Sequence, residues 1–152
     1  MRGVAEYGIA TSDLVLYRSR GEPVVALAAI FQHSPYVLLA SRKIDHLHDL
    51  IGRRLMIEPH ADELIAYFKY EGIARDRLLL APHDFGVDAL VKGAVEAMSA
   101  YSTDEPFLLQ KAGFPYASFS PRAGGIDFYG DTLFTPETEA RRHPKRVSAF
   151  VQ

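Results

Sequence analysis

Tyr101, Ser102, Thr103, Asp104 and Glu105 stand directly after a short apolar run, residues 97–100, and directly before Pro106. This order reads as a buried strand that runs into a polar turn and opens a helix at Asp104. Ligands of open α/β sheets bind just outside the carboxyl ends of the strands. Such a turn therefore delivers hydroxyls, carboxylates and unsatisfied helix N–H groups to a binding edge. The plainer role is local: Thr103 or Asp104 as helix cap, and Glu105 as a first-turn acid favoured by the helix dipole.

The same rule selects other positions. Ser12 and Asp13 end the first strand-to-helix turn. Gln32, His33 and Ser34 separate two strands, and Gln32 offers both a donor and acceptors. Glu58 and His60 follow a strand and precede a helix whose N-terminus could receive an anionic group, although Glu58 opposes that. Tyr129 and Asp131 lie on a return crossing, where a tyrosine can stack on a flat ring or simply pack. Tyr36 and Tyr101 are weaker candidates of the same kind. Capping, packing or plain loop surface is the alternative at every one of these positions.

Metal, cofactor and catalytic chemistry are not expected. His46 and His48 alternate as strand ligands would, but they fall on a short helix, where that spacing splays them. Cysteine is absent, which removes disulfides, thiol nucleophiles, zinc–cysteine sites and iron–sulfur clusters. Glycine-rich phosphate loops, nucleophile elbows and His-Glu-x-x-His pairs are missing too. Arg141, Arg142, His143, Lys145 and Arg146 form a local basic patch that reads as a solvated helix face.

The elements that must position these residues follow from length and pattern. The chain has 152 residues, 48% apolar and 24% charged, with a net charge of −2. That is a soluble globular balance for one domain or two small lobes, with no basic field for nucleic acid. Its longest apolar run, residues 24–31, is far short of the roughly 20 residues that span a bilayer.

Strands are expected at 5–10, 24–31, 36–40, 54–57, 78–81, 97–100 and 116–119. The run 24–31 has the continuous apolar character of a fully buried strand. Helices are expected at 13–20, 47–52, 61–71, 87–91, 104–111 and 137–142, several of them stopped by glycine, with another from Pro144. Residues 126–134 read as extended. This alternation argues for a mainly parallel sheet with helices on both faces. Crossings near Ser41 and Gly125 divide it into residues 1–40, a complete lobe over 41–125, and a return over 126–152. Two lobes joined by two strands would enclose a cleft and could close by hinge motion.

The order and spacing of several segments carry a resemblance. They are Gly3-Val-Ala-Glu-Tyr-Gly-Ile-Ala-Thr-Ser-Asp13, Gly21-Glu-Pro-Val-Val-Ala-Leu-Ala-Ala-Ile-Phe-Gln32 and Asp49-Leu-Ile-Gly-Arg-Arg-Leu-Met56. They continue with Gly93-Ala-Val-Glu-Ala-Met98, Thr103-Asp-Glu-Pro106 and Tyr129-Gly-Asp131. Together they resemble the type II periplasmic solute-binding proteins, in the branch that binds thiamine-pyrimidine precursors and alkanesulfonates.

The resemblance implies an α/β, two-lobed fold of the periplasmic-binding-protein type, with the second lobe complete and the first partial. Family members run to about twice this length, so the chain is expected to be a segment of a longer protein. Glu105 falls where the family places an acid in the second-lobe wall. A carboxylate there can accept hydrogen bonds from an amino-pyrimidine or an amine.

The implied function is non-catalytic capture of a small polar or heteroaromatic molecule, outside the cytoplasm and without a cofactor. Residues 126–132 resemble the subset that serves as sensor input to a histidine kinase or diguanylate cyclase module in the same chain. The alternative is the solute-binding component of an ABC transporter, working with a permease. An enzyme on the same fold is the reading from another class. An exposed sheet edge on the truncated lobe could also pair two chains as a homodimer.

Overall fold

The computed structural model describes residues 5–152, so the start of the first quoted motif, Gly3 and Val4, lies outside the described residues. In chain order the elements are β1 (Gly8–Ala10), α1 (Leu14–Ser19), β2 (Val24–Ala29) and β3 (Tyr36–Ser41), then a 3-10 turn at Leu47–Leu50. Next come β4 (Arg54–Met56), α2 (Asp62–Tyr70), a 3-10 turn at Arg75–Arg77, β5 (Leu79–Ala81), α3 (Asp88–Val91) and β6 (Ala97–Tyr101). The chain ends with α4 (Glu105–Lys111), β7 (Tyr116–Phe119), β8 (Thr132–Pro136), α5 (Glu137–Arg142) and α6 (Pro144–Val151). They form two compact units, Met1–Ser34 with Phe128–Gln152, and Pro35–Asp127.

The second unit is a five-stranded sheet in the order β5-β4-β6-β3-β7. β4 runs parallel to β5 and β6, while β3 is antiparallel to both β6 and β7. Four strands thus share one direction and β3 opposes them, so the sheet is mixed where a mainly parallel one is expected from the sequence.

β3 also corrects the expected division at Ser41. Its run Tyr36-Val-Leu-Leu-Ala is buried throughout and alternates between two cores. Leu38 and Ala40 join Leu55, Ala97 and Phe68 on one face; Val37 and Leu39 join Met56, Met98, Leu90 and Leu109 on the other. Its backbone is hydrogen-bonded on both edges, to β6 on one side and β7 on the other. The boundaries therefore fall before Pro35 and after Asp127 rather than at Ser41 and Gly125.

Helix α2 covers the first face because Leu64, Tyr67 and Phe68 recur at helical spacing, with Ile73 just beyond its end. Helices α3 and α4 cover the other face through Leu90 and Leu109. Gly124 approaches Tyr67 so closely that a Cβ there would overlap the ring. Tyr67 is buried, so the ring must shift within the core to make room. Gly124→Ala is expected to destabilise this unit by about 1–3 kcal/mol, as overpacking does, read as a lower urea midpoint.

The first unit is an antiparallel sheet in the order β1-β8-β2. The run expected to be a fully buried strand is here an edge strand, with only Val24 buried. Its alanine-rich stretch, Ala26, Ala28 and Ala29, carries too little side chain to seed a core of its own. The extended stretch expected from residue 126 becomes a strand only at Thr132.

Around α5 and α6, the buried Glu139 receives two hydrogen bonds from Arg146, at 2.7 and 2.6 Å, and one from the Tyr7 hydroxyl at 3.3 Å. Tyr7 stacks on Phe150 at 4.0 Å. Arg141 and Arg18 pair with Glu137 at 2.6 and 3.1 Å, so three cations of this region are tied to acids.

The hydrogen bonds from Arg146 hold the Glu139 carboxyl below its ordinary pKa against the opposing effect of burial, and those from Arg141 and Arg18 do the same for Glu137. A carboxyl depressed in the folded state contributes stability that is full above its unfolded pKa. That stability is lost as pH falls through the folded value. Arg146→Gln is therefore expected to be less stable than the parent at neutral pH. The gap should narrow in acid, as pH falls through the depressed folded-state value of the parent's Glu139. Urea unfolding at neutral and at acid pH checks this.

Candidate functional site

In the Pro35–Asp127 unit the carboxyl ends of β4, β5 and β6 and the amino end of the reversed β3 meet at one sheet edge. Tyr36 pairs in register with Tyr101 there, and their rings meet edge to face at 4.8 Å. The Tyr36 hydroxyl donates to Glu58 Oε2 at 3.3 Å. Burial first, and the nearby Glu58 carboxylate second, push the Tyr36 phenol well above its ordinary range. It therefore stays protonated and keeps its donor role.

Behind this pair the backbone is cross-braced. The Glu58 N–H donates to Ser99 Oγ at 2.9 Å, and Ser99 is fully buried. His83 Nε2 lies 3.0 Å from the Ser99 carbonyl, and its Nδ1 accepts the Phe85 N–H at 2.9 Å. These two partners assign the proton to Nε2. The loops after β4 and β5 each hold a non-glycine residue at positive φ, His60 at 69° and Phe85 at 59°. Such conformations persist only where the surroundings impose them, and here both stand at the same sheet edge. The Phe85 ring is 70% exposed and tilts against His83 at 5.0 Å.

Glu105 turns back so that its Oε2 accepts the Tyr101 N–H at 2.8 Å. One carboxylate oxygen thus braces the turn. Asp104 stands at the N-cap position of α4 but makes no side-chain cap bond, and Thr103 and Asp104 are exposed. A concave surface of about 360 Å³ lies beside this edge, lined among others by Glu58, His60, Asp62, Arg75 and Pro82.

The structure thus brings Glu58, His60, Thr103, Asp104 and Glu105 to one edge, with Tyr36 and Tyr101 between them. His83, Ser99 and Phe85 join them without having been selected from the sequence. His83 and Phe85 follow a strand and precede a helix, the signal that selected Glu58, so the strand-end rule could have found them. Ser99 sits inside a strand and gave no such signal.

The other predicted residues belong to the first unit and converge at one end of its sheet. Ala10 and Ala29 both pair with Thr132, which puts the end of β1, the end of β2 and the start of β8 together. Ser12 and Asp13 follow β1, Gln32, His33 and Ser34 follow β2, and Tyr129 and Asp131 precede β8. The Asp131 carbonyl accepts the Ile30 N–H at 2.7 Å, and the Ser34 N–H donates to the Phe128 carbonyl at 2.8 Å. Gln32 donates its amide to the Ala29 carbonyl at 3.3 Å. Asp13 is buried, while Tyr129 is exposed.

Among the described residues, no group of three or more His, Cys, Asp or Glu is placed to hold a metal, and no helix is long and apolar enough to cross a membrane.

A family model described as "NMT1/THI5 like" matches residues 1–152. The chain belongs to the NMT1/THI5-like family. No curated protein sequence matches it at a significant level. The fold of this NMT1/THI5-like chain recurs in solved structures. A protein from Bordetella bronchiseptica RB50 superposes with a TM-score of 0.81 at 16% identity, over 98% of this chain and 52% of the other.

The alkanesulfonate-binding protein SsuA from Xanthomonas axonopodis pv. citri, solved with MOPS bound, gives 0.71 at 14% identity, over 97% and 53%. The periplasmic aliphatic sulphonate binding protein SsuA from Escherichia coli gives 0.69 at 11% identity, over 97% and 53%. At these identities the likeness shows the fold, α/β and periplasmic-binding-protein-like. The NMT1/THI5-like chain spans about half the length of each of these structures.

Proposed function

We propose that the chain reversibly captures a small polar or heteroaromatic solute, as part of the solute-binding component of an ABC importer that works outside the cytoplasm with a membrane permease. The observation that carries this reading is the braced edge of the Pro35–Asp127 unit, where Tyr36, Glu58, Tyr101 and Glu105 gather at the carboxyl ends of the strands. The edge offers carboxylate acceptors beside the half-buried Tyr101 ring, which the buried Tyr36 backs. That combination suits a ligand bearing an amine or an amino-substituted ring better than it suits a sulfonate.

The transporter role stands ahead of the sensor role because solved chains of this fold include substrate-binding proteins of ABC transporters. The stretch that suggested a sensor is a loop over residues 126–131 that enters β8 at Thr132.

No bond is made or broken in this reading. Both ring nitrogens of His83 are engaged with backbone groups, and the Ser99 hydroxyl is buried while accepting from Glu58. Neither is poised as a base or nucleophile toward an incoming molecule. The test is a thermal-shift screen of amino-heterocycles, amines, amino acids and sulfonates, with each hit recovered and analysed. A ligand at about 100 times its Kd stabilises by about 2.7 kcal/mol, a shift of several degrees. At least one hit recovered unchanged is expected. A panel with no hits, or a hit recovered as a new compound, contradicts the reading.

A further inference from the structure

At the opposite end of the same sheet lies a second cavity, of about 430 Å³, within the size range of small-molecule sites. It gathers around the amino ends of the parallel strands: Arg53 precedes β4, and Lys43 follows β3 where that strand leaves the sheet. β6, five residues long, separates this end from the Glu58 edge by roughly 15 Å. Ile44, Leu90, Val91 and Phe114 give the cavity an apolar lining, and Lys43 and Arg53 add two cations.

The one carboxylate that also lines it, Glu96, is engaged: its Oε2 accepts the Arg54 N–H at 3.2 Å. Among the described residues, neither the Lys43 nor the Arg53 side chain has a hydrogen-bond or ion-pair partner. The lining therefore carries a net charge of one positive.

We propose that this cavity is a second small-molecule site, for a monoanion with a compact apolar body, such as an arylalkyl carboxylate. The apolar part is buried against Phe114 and Leu90, and the carboxylate is held by Arg53, whose planar guanidinium suits two-point contact, with Lys43 as a point charge. A dianion fits less well, because it needs a third cation.

Phenylbutyrate is the probe, titrated into the labelled chain and followed by backbone amide shifts. Saturable shifts are expected at Lys43, Arg53, Val91 and Phe114, with a Kd below about 1 mM. Phenylbutanol, the uncharged match, should bind at least about tenfold more weakly, as should the Lys43→Glu, Arg53→Glu double variant. Where circular dichroism shows that double variant unfolded, Lys43→Gln with Arg53→Gln replaces it, with the same expected direction. Glu58→Ala should leave phenylbutyrate binding unchanged, so the outcome is independent of whether the opposite edge binds a solute. Absence of saturable shifts at these amides overturns the proposal, as does equal binding of the alcohol or by the charge-altered variant.

Discussion

Phe68→Ala is expected to cost the Pro35–Asp127 unit about 3–5 kcal/mol, the range for emptying a buried aromatic position. Phe68 is 1% exposed and packs with Leu38, Leu55 and Ile73 under the central strands. Whole domains are stable by only about 5–15 kcal/mol, so this one change removes a large part of the margin. Phe85→Ala is the internal control. The same atoms leave from a ring that is 70% exposed, and stability should move by no more than about 0.5 kcal/mol. Urea midpoints of the two variants should differ widely. If they matched, the assignment of Phe68 to the core face of α2 would be wrong.

The second large effect concerns Glu58. With a solute found by the thermal-shift screen, Glu58→Ala is expected to weaken binding by about tenfold to a hundredfold. Losing a hydrogen bond to a charged group costs about 1.5–3 kcal/mol. The substitution also strips the buried Tyr36 hydroxyl of its acceptor, so Glu58→Gln is needed beside it. The amide keeps an oxygen for Tyr36 and loses only the charge. For an amine-bearing solute, Glu58→Gln should fall between the parent and Glu58→Ala. Tighter binding by Glu58→Gln would point to an anionic solute and contradict the reading of the edge as an acceptor surface.

Much of this architecture is legible in the residues themselves. The strand at Tyr116–Phe119 falls where the pattern places it, and α2 follows from Leu64 and Phe68 at helical spacing. The gathering of Glu58, Thr103, Asp104 and Glu105 follows from a single rule, that strands sharing a direction end at the same edge. What the pattern does not carry is pairing. Tyr36-Val-Leu-Leu-Ala and Val24-Val-Ala-Leu-Ala-Ala are both continuous apolar runs, yet one is the centre of a sheet and the other an edge. Local sequence encodes how apolar a strand is, whereas which strands flank it depends on distant partners, here β6 and β7 for Tyr36–Ser41.

The role of Glu105 was equally hidden. Its type and place fit a ligand acid and a first-turn acid alike; in the fold it stands in the first turn of α4, and one oxygen also accepts the Tyr101 N–H. His83 could have been found, since it follows β5 as Glu58 follows β4.

The most direct measurement is a backbone amide map of the 152-residue chain titrated with a solute from the screen. Shifts concentrated at Glu58, His60, Phe85, Tyr101 and Glu105 are the predicted result. Saturable shifts confined to other parts of the chain, with these amides still, would contradict the assignment of the β4–β6 carboxyl edge as the place where solute is held.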